Sequence, residues 1–352
     1  MKKRTIISIS ALSLLLAGAC TKTDFQSQNV ETLNPQSATV TIDLAASTKS
    51  VVEQTQQQDN AINTLDVFIF KNTDSSKGDS GELDTYQRFQ GDDLSSIQLT
   101  STTGPKVVCV VANSHVDDFS GVTKIASFKE LKTLLKNEMI GSFTMYGEVE
   151  HEFELTNRIS VTLTRFVSKV AVTSIKTKFD GTSYQGQTLK NCKLFLINAY
   201  GDKLVFNNEN GTSPIILNQA ALVEEDVNST AQEGLLMDVI DGDIDGTGHS
   251  TAHYFYTYSN ETQNISTSTK VVLQADLNGV TYYYPIMINQ PDYGYLPENG
   301  HYGVGRNTSY SYTITVTRPG SEDPNIPLVP GAVELTLEVQ DWSVVPSFDK
   351  EF

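Results

Sequence analysis

The reading turns on residues 333–348, Val333-Glu334-Leu335-Thr336-Leu337-Glu338-Val339-Gln340-Asp341-Trp342-Ser343-Val344-Val345-Pro346-Ser347-Phe348. Val333, Leu335, Leu337 and Val339 alternate with polar residues, the period of a strand with one face buried. The apolar frame then slips by one, to Trp342, Val344, Pro346 and Phe348. A strand cannot change frame without a kink, because one extra residue turns every later side chain to the opposite face. Two strand segments hinged near Gln340-Asp341 are therefore expected, and Pro346 suits an edge or isolated strand. Chain ends fray unless they lie against something. This terminus either completes its own sheet or is lent to a neighbour.

Working back along the chain, the same period recurs. Val40, Ile42 and Leu44 alternate with polar residues, and strand-like runs follow at 62–70, 106–111, 143–146, 152–155 and 159–163. Beyond Arg165 come 166–175, 192–199, 253–258, 270–277, 281–288 and 309–316. Residues 71–83 read as a Gly, Ser and Asp loop. One short helix is expected, capped by Ser127 with Glu130 and carrying Phe128, Leu131, Leu134 and Leu135 on one face. Many short strands with a single helix predict an all-β protein. At 352 residues the chain is long enough for two β-sandwich domains, each with its own core. The expected division is a leader at 1–19, a tether at 20–37, an N-terminal sandwich at 38–165 and a C-terminal sandwich at 166–352. The helix falls in the first sandwich, and the terminal strand, 333–352, closes the second.

The N-terminus carries an address. Lys2, Lys3 and Arg4 precede an apolar run to Leu16, then Ala17-Gly18-Ala19 and Cys20. This is the pattern of an export signal, too short to span a bilayer as a stable helix. Losing the three cations Lys2, Lys3 and Arg4 with the leader takes the formal charge from -17 to -20. So acidic a surface repels phosphate backbones and argues against a nucleic-acid partner. Cys109 and Cys192 each sit in their own apolar run, and both read as buried free thiols. The tyrosines of the second half (254, 256, 258, 282, 283 and 284) read as sheet packing.

Candidate chemistry is thin. Asp241-Gly242-Asp243-Ile244-Asp245-Gly246 matches half a calcium loop, but the twelfth position is Ala252 and cannot supply the closing carboxylate. An acidic surface turn is expected. His249 and His253 are four apart, yet Ser250 stands where a zinc protease helix needs glutamate. At strand spacing the two would lie about 13 Å apart, so no metal is expected there. No nucleophile elbow, phosphate loop or dinucleotide fingerprint occurs. The expectation is no catalytic residue, no cofactor and no enzyme activity.

Taken in order, several pieces resemble the Bacteroidetes fimbrillin family, the shaft and accessory subunits of type V pili. They are the Ala-Gly-Ala-Cys ending at Cys20, which is similar to a lipobox with Ala17 in place of the usual Leu, and the strand 62–70. They continue with Val107-Val108-Cys109-Val110-Val111-Ala112-Asn113, Thr164-Arg165-Phe166-Val167-Ser168-Lys169-Val170, Arg306-Asn307-Thr308-Ser309-Tyr310 and Val339-Gln340-Asp341-Trp342. The resemblance implies two transthyretin-like sandwiches in tandem and an exported lipoprotein precursor, held in outer-membrane lipid through Cys20. It also implies assembly at the cell surface: proteolysis removes the first strand, and a neighbour's C-terminal strand fills the groove. Here the expendable strand is 39–45. Lys49, the only basic residue in the matching stretch, takes the cleavage point, where many shaft subunits carry Arg. The donor residues are Val333, Leu335, Leu337, Val339, Trp342, Val344 and Phe348. The implied partners are neighbouring fimbrial subunits and, through adhesion, a host glycoprotein or other bacteria. The alternative is a subunit that keeps its lipid, as a fimbrial anchor or as a surface lipoprotein binding glycans or host proteins.

Overall fold

In a computed structural model, the described residues are 34–45, 59–73, 80–91, 93–206, 214–295, 301–328 and 332–341. They build an all-β protein of two sandwiches.

The first sandwich is assembled around β1 (Ser37–Ala45), β2 (Thr64–Lys71), β3 (Leu83–Gln90), β4 (Ser96–Thr102) and β5 (Gly104–Ala112). To these are added β7 (Met145–Phe153), β8 (Thr156–Thr162) and β9 (Thr164–Arg165). One sheet has the order β4-β1-β8 and the other β3-β2-β5-β7-β9. Strand β2 explains why its sequence is an almost continuous apolar run. Leu65, Val67 and Ile69 face β1 across the sandwich, joined from β5 by Val108, Val110 and Ala112. Phe68 and Phe70 point the other way, with Val107, Cys109 and Val111, into a second apolar layer. A sheet covered on both faces has no polar side to display. Asp66 is the exception on the Phe68 face and is fully buried. Its carboxylate accepts hydrogen bonds from Arg88 Nε (2.7 Å), Tyr86 Oη (2.8 Å) and Ser114 Oγ (2.8 Å), as a buried charge requires.

The outer layer over Phe68 includes α1 (Ile125–Lys129), whose Phe128 ring lies 4.9 Å from that of Phe68. This helix corrects the sequence reading. Its N-cap is Lys124, not Ser127; the Lys124 N–H donates to Ser127 Oγ and its carbonyl accepts from the same hydroxyl. It ends at Glu130 because Lys132–Leu134 leaves the helix as β6 and pairs with β13 (Asp202–Leu204), while Leu135–Asn137 forms one 3₁₀ turn. Ladder bonds to a distant segment outweigh the helical stripe.

The second sandwich has a sheet of order β16-β10-β19-β20, formed by β10 (Val167–Thr177), β16 (His253–Tyr258), β19 (Thr308–Val316) and β20 (Val333–Asp341). Facing it is β15-β11-β17-β18, from β11 (Lys190–Ile197), β15 (Met237–Val239), β17 (Lys270–Leu277) and β18 (Val280–Met287). The short pair β12 (Ala199–Tyr200) and β14 (Ile216–Leu217), with α2 (Glu224–Asn228), completes this half; α2 has no counterpart in the sequence reading. Cys109 and Cys192 are both buried and unbonded to each other, and burial pushes each thiol up to about 12.

The two halves share one apolar layer, running from Phe68, Phe128 and Phe143 to Phe166, Tyr256 and Tyr258. Polar groups are built into the same joint. Arg165 is fully buried, with Nε on the Asp59 carbonyl (2.9 Å) and Nη1 on Asn307 Oδ1 (3.1 Å). Arg306 donates to the Arg165 and Thr164 carbonyls (2.7 and 2.8 Å) and stacks on Phe166, 4.3 Å from its centroid. Burial lowers both guanidinium groups to about 10, which leaves them charged at neutral pH.

Candidate functional site

Two strands stand apart from the rest, one central and one at an edge. Strand β1 lies between β4, to which it is antiparallel, and β8, to which it is parallel. Its inward residues are Ala38, Val40 and Ile42, at 0–1% exposure, and the half-buried Leu44. Fully burying side chains such as Val40 and Ile42 contributes about 1.5–3 kcal/mol each. Backbone bonds tie both ends: Thr39 N–H to the Leu155 carbonyl (2.9 Å), Leu44 N–H to that of Ser95 (3.0 Å) and Thr103 N–H to that of Gln36 (2.8 Å). On the outer face Asp43 accepts from Ser96 Oγ (2.7 Å) and from Arg158 Nε (2.7 Å), and those bonds hold its carboxyl below the usual range. Without β1, the edges of β4 and β8 would lose their ladders, and Ile97, Leu99, Ile159 and Val161 would lose their cover. What remains is a groove one strand wide.

One wall of the groove is also tied to the opposite sheet. Burial works to raise the Asp84 carboxyl of β3, yet bonds from Ser101, Thr102 and Lys106 outweigh it and hold it low. That cluster fixes β4 against the other sheet independently of β1.

Strand β20 is the edge of its sheet and pairs antiparallel with β19, with Tyr310 opposite Val339, Tyr312 opposite Leu337 and Ile314 opposite Leu335. Its inward residues Val333, Leu335 and Val339 are only half-buried, and Leu337 alone is buried. Gly294, with φ +81°, comes so close to Leu337 that a Cβ there would lie 2.8 Å from the leucine Cβ. On the outer face Glu334 meets Lys178 at 2.9 Å in an exposed pair of small energetic weight. β20 thus presents four inward apolar positions at period 2, and β1 presents four in the same spacing.

The structure therefore describes part of the expected set. Val333, Leu335, Leu337 and Val339 share one face of β20. Cys20, Lys49, Trp342, Val344 and Phe348 lie outside the described residues. The sequence reading missed β3 and β4, although Ile97-Gln98-Leu99-Thr100 carries the period that marks β4. It also misplaced the histidines: His249 Nε2 and His253 Nε2 are 2.9 Å apart, not 13 Å. His253 opens β16, but residues 250–252 lie outside any strand, so strand spacing does not apply. The Asp241–Asp245 acids are exposed around the buried Ile244, with Asp245 closing a turn on Thr247 N–H and Oγ1.

Comparison with known proteins fits this architecture. The family model of the major fimbrial subunit protein (FimA) matches residues 38–218, from within β1 past β14. The chain belongs to that family. A stretch of 74 residues is 36% identical to the major fimbrium subunit FimA type-5 of Porphyromonas gingivalis. That match covers 20% of this chain and 18% of the relative's length. Among solved structures, the fimbrilin FimA of Porphyromonas gingivalis W83 superposes with a TM-score of 0.62 at 17% identity, over 88% of this chain and 98% of that one. A candidate cell adhesion protein of Bacteroides eggerthii gives 0.63 at 19% identity, over 88% and 97%. At those identities the likeness of the FimA family member to solved structures is one of fold.

Proposed function

We propose that this chain is a structural subunit of a surface fimbrium that assembles by strand replacement. It is exported as a lipoprotein precursor acylated at Cys20, and cleavage at Lys49 removes β1. The groove between β4 and β8 then accepts residues 333–348 of a neighbouring subunit, delivered when β20 leaves β19. The two bodies joined in this way are 38–165, which holds the groove, and 166–352, which lends the strand. The finished fimbrium serves adhesion, and the subunit is structural, with no catalytic residue or cofactor.

The observation that carries this reading is the contrast between β1 and β20. β1 fills a slot between two strands that both hydrogen-bond to it, whereas β20 is a half-buried edge strand with the same four-position apolar face. An emptied slot exposes unpaired N–H and C=O groups along with apolar side chains, and that exposure drives association. Tyr256, Tyr258 and Tyr284 are core residues and Tyr254, Tyr282 and Tyr283 are half-buried, so half of the clustered tyrosines are committed to packing.

The test is deletion of residues 333–352 in a chain exported and processed in its native envelope. The expected product is a folded subunit that forms no polymer by electron microscopy or size-exclusion chromatography. Polymers built from the truncated chain would sink the proposal.

A further inference from the structure

We propose that the connection between β19 and β20 is a fixed base for the donor strand: residues 318–328 stay fastened to the opposite sheet while β20 is exchanged, and only the chain beyond Leu328 passes to the neighbouring subunit. This inference rests on the strand-replacement reading. Antiparallel neighbours are usually joined by about two to five residues, yet β19 ends at Val316 and β20 begins at Val333. Connections so long are uncommon in a compact domain and are commonly functional.

Its ties run to the sheet that does not contain β20. Ser321 exchanges both backbone hydrogen bonds with Tyr283 of β18 (2.7 and 2.8 Å). Tyr284 Oη, from the next residue of β18, donates to the Arg318 carbonyl (3.2 Å). Gly320 lies so close to β18 that a Cβ there would run into the Tyr283 carbonyl oxygen. Farther along, Asn325 Oδ1 accepts from Lys270 Nζ of β17 (2.7 Å), with Asn198 Nδ2 at 3.4 Å, and Leu328 is buried in the apolar core. The bond from Thr317 N–H to the Ala332 carbonyl (3.1 Å) instead continues the β19–β20 ladder and opens with it.

Lys270 makes the base costly to detach. It is fully buried, and its ammonium donates to the Ile265 carbonyl (2.6 Å) as well as to Asn325. Burial lowers it to about 8, which leaves it charged at neutral pH. Taking an acceptor from a buried cation is strongly unfavourable. Peeling the connection away would take Asn325 from Lys270, whereas moving β20 alone leaves the bonds to β17 and β18 in place. The base also limits reach. From Leu328 to Val333 is five residue steps, at most about 18 Å when fully extended, so the neighbour's groove must open within that distance of Leu328.

The experiment compares two disulfide locks in purified, processed subunits, each polymerised in reduced and in oxidised form so that the reduced form controls for folding. Thr313→Cys with Thr336→Cys joins β19 to β20 at a directly paired, exposed position. Tyr283→Cys with Ser321→Cys joins the connection to β18. Antiparallel partners lie about 4.5–5.5 Å apart at Cα, within disulfide range. Oxidation should abolish polymers of the first variant and leave the second polymerising as its reduced form does. A block confined to the oxidised second lock would overturn the fixed base and leave strand replacement standing. Polymers from the oxidised first lock would overturn strand replacement itself, and the base with it. Hydrogen exchange needs no variant: in wild-type polymers the amides of residues 318–328 should be as protected as in the monomer, and a loss of protection there would overturn the proposal.

Discussion

Leu337 stands opposite Tyr312 in the β19–β20 ladder, and only the missing side chain of Gly294 lets the adjoining loop close over it. Tyr312 is fully buried, with its hydroxyl accepting the Asn289 N–H at 2.9 Å, and burial pushes that hydroxyl far up its titration scale. Leu337 is the most deeply held residue of β20, while Leu335 and Val339 on either side are half-buried. Beyond its backbone ladder with β19, the deepest side-chain contact of the strand thus depends on a glycine.

Gly294→Ala tests that point. The backbone at φ +81° disfavours a Cβ, and the added methyl would sit 2.8 Å from the Leu337 Cβ, where something must move. We expect β20 to be loosened by about 1–2 kcal/mol. Amide exchange at residues 333–341 should accelerate while that of β10 stays slow. Unchanged protection of β20 would show that the strand is held elsewhere.

A substitution in β1 should matter before assembly and not after it. Ile42 is completely buried, so Ile42→Ala should destabilise the precursor by about 2–4 kcal/mol in denaturant unfolding. If β1 is lost on processing, polymers from the variant should match wild-type polymers in dissociation by heat and denaturant. A weakened polymer would mean that β1 stays in place.

Glu138 offers a pH test of the joint between the sandwiches. It is fully buried, accepting from Tyr258 Oη (2.7 Å), Thr144 N–H (2.8 Å) and Thr133 Oγ1 (3.1 Å). Burial dominates these bonds and raises its pKa above the ordinary carboxylate value. The folded form then binds the proton more tightly than the unfolded one, so stability is greatest below the unfolded pKa and falls as pH rises toward the folded pKa. Glu138→Gln removes that loss and can keep an amide oxygen on Thr144 N–H. The Tm difference, variant minus wild type, should grow more positive from pH 5 to pH 8. Parallel curves would place the carboxyl in its ordinary range.

Much of the fold is legible residue by residue. The bounds of β16 and β17 coincide with their apolar runs, because polar or turn residues follow each, Ser259-Asn260 after β16 and Asn278-Gly279 after β17. Strand β3 is not legible: Leu83–Gln90 is half-buried or exposed throughout, and Asp84 and Arg88 spend their charges on bonds no local pattern announces. The helix is misread because Leu131, Leu134 and Leu135 follow helical spacing yet are claimed by β6 and the layer shared by the two halves. The β1–β20 contrast is half visible. Period 2 marks both strands, but only the topology tells a central strand from an edge. The His249–His253 contact could not be read at all, since it depends on where a strand stops.

The most direct measurement is disulfide trapping between β20 of one subunit and the groove of the next. Gln98 of β4 and Arg158 of β8 flank Thr41 of β1 on its outer face, and both are exposed. Cysteine at 98 is combined in turn with cysteine at 334, 336, 338 or 340, the outward positions of β20, and polymers are formed under mild oxidation. Strand replacement predicts a ladder of disulfide-linked subunits for the one register that aligns with position 98. Polymers that form normally yet give no such ladder with any of the four partners would contradict it.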